Sequence, residues 1–355
     1  MIKQTYLLKL ASPTFLGGAD QRGTWRTPPI KALVREWWRI AVAPELGYDH
    51  RQIKKRETRL FGTAADEAGG ENQRSQIRFA LANWREGTCT AWPSGEQRVN
   101  HPEVQDRNTG RPRPVGSELY LGYGPLVFEQ GTKLKNGAAL QANETNSIRL
   151  ALPDAEHANL QRSIALAHWF GTLGGRSRNG WGSMLWTAED GTPSVAPLDA
   201  SALQASGCTR ALRQCLDLDW PHAIGSDGAG VLVWRSNETF KDWRDAMAFL
   251  ARTKISVRHH LGFDGGQPHR EPQPRHALAY PVTNHKVPAW EGSGKGRLAN
   301  TLRFKLHTEE DGRLRALIYH TPCRPSLPHA GLDLLDTWQR VHRFLDAQPA
   351  LARLD

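Results

Sequence analysis

Residues 174–182 read GGRSRNGWG, and the groups in that run suit the binding of a phosphate. Glycines at 174, 175, 180 and 182 let the backbone come close to a ligand and aim N–H groups at it, while Arg176 and Arg178 supply forked donors that match phosphate oxygens. Ser177, Asn179 and Trp181 add two small polar groups and a ring. A helix C-cap also uses glycine, but it needs neither the two arginines nor the Asn and Trp beside them, so these residues favour a contact with a phosphate backbone.

A second cationic group is Lys31, Arg35 and Arg39, each four residues apart and so stacked in one row if the segment is helical. Such a row repels itself unless an anion lies beside it; the alternative is a solvated basic face with Glu36 as a partial partner. The row belongs to a wider surplus. Residues 1–60 hold 12 Lys and Arg against 5 Asp and Glu, whereas the whole chain of 355 residues holds 46 against 36. Arg22, Arg26, Lys54 and Lys55 are part of this excess, and Gly17 and Gly18 sit in a glycine-bearing loop ahead of the row. A surplus concentrated in this way attracts a polyanion through counterion release, which an even surplus would not. Thirteen tryptophans are many for the length; most belong in cores or interfaces, although rings among arginines also stack the bases of a single strand.

Other chemistries fit poorly. WEGSGKGR at 290–297 contains a Gly-Lys pair, but Gly296 follows Lys295 where a P-loop needs Ser or Thr, and Ala289 stands at the opening position, so a flexible basic hairpin loop is expected. The aromatic signature of the common RNA recognition motif is missing. Cys89, Cys208, Cys215 and Cys323 form no CxxC pair and read as ordinary buried thiols; His259 and His260 cannot act as i and i+4 ligands, and no HExxH occurs. No metal or cofactor is expected. No apolar run approaches a membrane span and the first residues do not form a signal peptide, so the chain reads as cytoplasmic, with no membrane partner.

The elements that must position these groups follow from periodicity. Alternation predicts a strand over 2–10, then a glycine-bearing loop, then a helix with Thr27 as N-cap, Pro28 in its first turn and Ile30, Leu33, Val34, Trp37 and Ala41 on its apolar face. Strands are expected over 76–82, 118–123 and 147–152, with 84–116 a long excursion rich in Pro, Gly, Arg and Trp. A helix over 155–173 follows, then a strand over 184–187 and a linker near 191–207. The second half repeats the pattern: a buried strand over 230–234, a helix capped by Asn237, strands near 277–281, 301–307 and 315–320, and a closing helix carrying Leu334, Leu335, Trp338, Val341 and Leu345. This is an α+β chain in two domains, 1–190 with both glycine-rich loops and a long inserted loop, and 208–355. A split βαβ, ferredoxin-like (RRM-like) unit fits each.

TFLGGADQRGTWRTPPIKALVREWWRIA, LFG at 60–62, YLGYG at 120–124 and the later GGRSRNGWG, in this order, resemble the RAMP superfamily of CRISPR proteins, and within it the first-subunit branch of type III-B (Cmr) effector complexes. The likeness is dense over 10–62, recurs at 118–185 and is thin in the second half, where RHALAYPV at 275–282 is the best match. It implies two ferredoxin-like domains, a bound CRISPR RNA held near its 3′ end, a target RNA, and other RAMP subunits as neighbours in an antiviral complex. It also implies that Gly17, Gly18, Lys31, Arg35 and Arg39 line the RNA path from one side and that the run from Gly174 to Trp181 closes it from another. Related subunits cleave target RNA with an aspartate just before the first helix; here Thr24, Trp25, Arg26 and Thr27 occupy that stretch and the nearest acid is Asp20. His50, His168 and His285 are the other catalytic candidates, none in a recognisable motif. The expectation is a non-catalytic RNA-binding subunit. The alternatives are a RAMP endoribonuclease and a protein that bridges subunits through a tryptophan-rich surface.

Overall fold

Alternation over the first residues places Tyr6, Leu8 and Leu10 on one buried face, and the chain there forms strand β1 (Ile2–Leu10). The computed structural model describes residues 1–18, 20–63, 72–106, 108–291, 296–329 and 331–354. After β1 come α1 (Thr27–Val42), α2 (His50–Phe61), β2 (Arg78–Leu81), β3 (Arg98–Gln105), β4 (Pro112–Gly116), α3 (Ser117–Gly122), β5 (Leu126–Phe128), β6 (Thr132–Leu134), β7 (Thr145–Leu152), α4 (His157–Phe170) and β8 (Met184–Thr187). The second half contains α5 (Ala200–Ala205), β9 (Thr209–Ala211), α6 (Leu212–Cys215), β10 (Ile224–Asp227), β11 (Gly230–Val231), β12 (Val233–Ser236), α7 (Trp243–His260), β13 (Leu302–Thr308), β14 (Leu314–His320), α8 (Leu334–Asp346) and β15 (Leu351–Arg353).

Each half builds one four-stranded antiparallel sheet, ordered β2-β7-β1-β8 in the first and β13-β14-β12-β15 in the second. The path is the same in both: strand, helix, two strands, helix, strand, with the third strand lying between the first and second. The α+β class is therefore as the pattern predicts. α1 lays Ile30, Leu33, Val34, Trp37 and Trp38 into the first core and packs on α4. The second core, under α7 and α8, also takes in Trp92, Leu121 and Trp181 from the first half, so the halves share a packed seam.

Strand β13 runs along that seam. As an edge strand of its sheet it would leave backbone groups unpaired, but Phe304 N–H donates to Arg178 O at 3.1 Å and Leu306 N–H to Ser183 Oγ at 2.8 Å. The glycine-rich run thus covers the open edge of the second sheet.

Several local expectations give way to tertiary packing. Residues 118–122 are helical and only Tyr123 is extended, because Glu118 and Leu121 must both face the core, which a 3.6-residue period allows. The excursion over 84–116 contains the β3–β4 hairpin, bulged between His101 and Gln105. The linker near 191–207 contains α5, capped by Asp199, with Leu203 buried. Residues 230–234 divide at Leu232 into β11 and β12. Asp242, not Asn237, caps α7, its side chain accepting from Arg244 N–H at 2.7 Å, while the Asn237 side chain donates to Pro349 O. Residues 274–277 form a 3-10 turn, and the strand expected over 277–281 is reduced to one bridge between Tyr280 and Leu298. Thr27 is the first helical residue of α1, and its N-cap is Arg26. Residues 292–295 of the basic Gly-Lys loop lie outside the described residues.

Candidate nucleic-acid interface

The row on α1 forms as its spacing requires, but the protein supplies part of its counter-charge. Glu57 of α2 is 3% exposed and lies between two of the cations, pairing with Arg35 Nε at 2.8 Å and accepting two hydrogen bonds from Arg39, one of them at 2.9 Å. Lys31 Nζ donates to Phe61 O at 2.7 Å, the last residue of α2, where a cation also meets the negative end of the helix dipole. Burial, and then Arg35, push the Lys31 pKa down. The partner of the row is Glu57 rather than the expected Glu36, which instead accepts from Arg303 of β13 at 2.6 Å. Its position was legible: Ile53, Glu57 and Phe61 are four apart, so Glu57 lies on the apolar stripe of α2 and has to be paired there. Arg35 and Arg39 still keep 36% and 38% of their side chains exposed, enough to present donors outward.

The two glycine loops meet. Gly175 N–H donates to Phe15 O at 2.8 Å, and a Cβ on Gly174 would stand 2.5 Å from that same oxygen, at a φ of +82°. Gly17 and Gly18 lie half-buried in a small turn that Gly18 N–H closes on Arg22 O at 3.0 Å. Arg26 is turned inward onto Gly17 O at 2.5 Å, and Arg22 pairs with Glu86. Asp20 accepts from Arg22 N–H at 3.2 Å and so caps this turn. Lys54 and Lys55 are exposed on α2.

Within the later run, Arg176 is exposed, with Nε on Tyr123 O at 2.5 Å, and Ser177 is half-buried. Asn179 spans three elements: its backbone pairs with Phe304, its Nδ2 donates to Leu121 O at 2.7 Å, and its Oδ1 accepts from Lys254 of α7 at 2.8 Å. Burial, followed by the charges of Arg258 and Arg176, pushes the Lys254 pKa down to about 7. Arg178 points toward the seam, where burial and then Arg303 lower its pKa while Glu36 raises it. Burial works against the Glu36 carboxylate, but Arg303, Arg178 and Arg39 together hold its pKa below the usual range, so one cation of the α1 row and one of the glycine run act on the same carboxylate. Sequence reading missed Glu57, Lys254 and Arg303; the last two sit on regular elements with nothing local to mark them.

Trp181 is corrected. It is fully buried, its ring 5.1 Å from Phe15, 5.6 Å from Trp92 and 5.7 Å from Trp243, and it has no face free for a base. The same holds more widely: of the thirteen tryptophans only Trp84 is exposed, at 63%, so a tryptophan-rich bridging surface is absent. Trp181→Phe is expected to lower stability by roughly 1–2 kcal/mol through lost packing. RNA affinity measured well below the melting temperature should not change, and a loss of affinity there would return Trp181 to the interface.

Among the described residues no group of three His, Cys, Asp or Glu could hold a metal ion, the four cysteines are unpaired, and no helix is long and apolar enough to cross a membrane. His168 is buried against Trp186 and its pKa falls to about 4 by burial and then Lys305; His285 is stacked on Phe263 at 3.7 Å; His50 is exposed at the start of α2.

The profile of the RAMP superfamily matches residues 7–184, half of the chain and the part that carries α1 and both glycine loops. The chain belongs to the RAMP superfamily. No curated protein matches it significantly. Among solved structures, this RAMP protein is similar to Cmr1 from Pyrococcus furiosus in its apo form, with 16% identity, 99% of this chain and 98% of that chain covered, and a TM-score of 0.43. It is also similar to chains in two cryo-EM structures of the type III-B Cmr-β complex bound to cognate target RNA. One, which also holds AMPPnP and was determined in the presence of single-stranded DNA, shows 10% identity over 96% of this chain and 97% of that chain, with a TM-score of 0.46. The other shows 10% identity over 97% and 99%, with a TM-score of 0.42.

Proposed function

We propose that this RAMP protein is a non-catalytic, cytoplasmic RNA-binding subunit of a type III-B CRISPR effector complex. It holds the 3′ region of the CRISPR RNA and helps receive target RNA beside other RAMP subunits. In this reading the two sheets are the ferredoxin-like domains 1–190 and 208–355, and the strand follows their seam. The observation that carries it is the approach of the α1 row to the glycine run: Arg39 of the row and Arg178 of the run both act on Glu36, while Arg35 and Arg176 on the same two elements keep their guanidinium groups partly or fully exposed, an arrangement that attracts a phosphate backbone. Gly17, Gly18, Lys31, Lys54, Lys55, Gly174 and Gly175 flank the same path, while Arg22 and Arg26 support the loop beside it. The absence of catalysis is supported by the use of Asp20 in a turn and by the burial of His168.

Fluorescent single-stranded RNA titrated into the purified chain across a salt series tests the reading, with Arg35→Ala, Arg176→Ala and the double variant beside the wild type. Each arginine that touches a phosphate contributes about 0.7 to the slope of log affinity against log salt, so the double variant should be shallower by about 1.4. Arg39 keeps its partner in all three variants, so folding is spared. Weak binding that ignores salt and both substitutions would sink the proposal, and shortened RNA in the wild-type lanes would put the nuclease in its place.

A further inference from the structure

The seam also contains a cavity on the side of Arg178 and Arg303. It measures 220 Å³ and is lined by four arginines: Arg178 of the glycine run, Arg303 of β13, and Arg297 and Arg324, which are exposed at its rim. Asp219 is its one carboxylate and joins no ion pair among the described residues. Arg303 is 6% exposed; Glu36 holds one of its terminal nitrogens, but its Nε is buried without a partner. No side-chain hydrogen bond or ion pair holds Arg178 among the described residues, although it stands within electrostatic reach of Arg303. Cys323 beside them is not the missing anion, since burial pushes its thiol up to about 11. Arg178 and Arg303 repel one another and share Glu36 as counter-charge, so with Arg297 and Arg324 at the rim this half-closed hollow holds more cations than carboxylates and can take an added anion.

Size and shape narrow the ligand. The cavity is smaller than the roughly 300 Å³ at which pockets begin to hold drug-sized molecules, so it suits a phosphate with part of a sugar and not a whole nucleotide. Leu334 and Trp338 of α8, both buried, also line it, whereas Arg297 and Arg324 are exposed to solvent. An internal phosphodiester must leave in two directions, whereas a phosphomonoester at a strand end leaves in one and carries a second charge for the extra arginines. We propose that this cavity binds the terminal phosphate of an RNA strand. The strand as the source of that phosphate rests on the RNA-binding reading; the phosphate site itself does not.

The test uses the full chain and its Arg297→Ala/Arg324→Ala variant, which leaves the buried arginines in place. Internally labelled single-stranded RNAs would carry a 3′-phosphate, a 5′-phosphate or hydroxyls at both ends, and thermal melting would be followed in inorganic phosphate against chloride at equal ionic strength. One of the two end phosphates should tighten binding to the wild type about tenfold. The variant should lose that gain and keep hydroxyl-ended affinity within roughly twofold. Inorganic phosphate should raise the melting temperature of the wild type alone. Equal affinity for all three ends, or a gain that survives in the variant, overturns the terminal-phosphate site. If inorganic phosphate protects while no RNA binds, the RNA reading fails and the strand with it. If hydroxyl-ended RNA binds while neither phosphate form has an effect, the RNA reading stands and the cavity proposal falls.

Discussion

Lys305→Met is expected to lower the stability of the folded chain by about 3–5 kcal/mol, whereas Lys133→Met on the exposed β5–β6 hairpin should stay within about 0.5 kcal/mol. Lys305 is fully buried, yet it comes from β13 in the second half and reaches into the first. Its ammonium donates to Ala167 O at 3.2 Å, to Met184 O at 2.7 Å and to His168 O. Burial pushes its pKa down, while two carbonyls at the C-terminal end of α4 and one from β8 favour the charged form. Methionine fills the volume but brings no donor, so the carbonyls lose their partner in a place water does not reach. Because the contact joins the halves, the loss should appear as a lower urea midpoint for the whole chain. A variant as stable as the wild type would mean that the halves are held without it.

The first half was legible because its signals are local and agree with one another. Residues 2–10 alternate apart from Leu7, 184–187 form a short apolar run, and the apolar spacing of α1 and α4 gives helices with Leu33, Trp37, Leu160 and Ile164 inward. The short elements were not legible, because their type is decided by partners far away in sequence. Residues 118–123 alternate well enough for a strand, yet 118–122 fall in α3 because Glu118 has to meet Arg244 at 3.1 Å and Trp92 Nε1 at 2.6 Å. The hairpin over 98–116 rests on α7, which no local pattern announces.

The candidate site divides in the same way. Glycine and arginine spacing picked out the two loops, but spacing does not say which side chains face solvent. Of the run 174–182, Arg176 faces outward, Arg178 turns into the seam, and Trp181 enters a four-ring aromatic cluster with Phe15, Trp92 and Trp243. The run has two tasks at once: it covers the edge of β13 and presents cations. At Gly182 the structural task dominates, since with a φ of +68° a Cβ would lie 2.0 Å from Leu173 O. Composition could show that cations are concentrated near the N-terminus. It could not show that Glu57 already neutralises part of the row through Arg35 and Arg39, and this leaves Arg176 and the Arg178–Arg303 hollow as the places where an added anion gains most.

Acidification from pH 7 to 5 should destabilise the chain steeply, by several kcal/mol. Burial holds four histidine pKa values down: His168 to about 4, with Lys305 adding to the effect; His307 to about 3, with His168 and Lys305 adding; His342 to about 3, with Arg353 adding and Asp227 opposing; and His320 well below its usual value, with His342 adding. They form two neutral pairs, His168 with His307 at 3.1 Å and His320 with His342 at 3.0 Å. In the unfolded chain each ring takes a proton below pH 6.5, and in the folded chain it does not. The unfolded state therefore binds more protons across this window, and stability falls as pH falls, by about 1.4 kcal/mol per pH unit for each ring. Glu118 acts in the opposite sense: burial holds its carboxyl at about 7, so below that pH it binds a proton that the unfolded chain accepts only near 4.5. The balance is roughly 4 kcal/mol lost per pH unit between 6.5 and 4.5. Urea midpoints at pH 7 and 5 measure it directly, and His168→Gln/His307→Asn, which removes two of the four rings, should flatten the dependence by more than half. Equal wild-type midpoints at the two pH values would mean that the pairs take up protons while folded, and that the interior around β13 and α8 admits water.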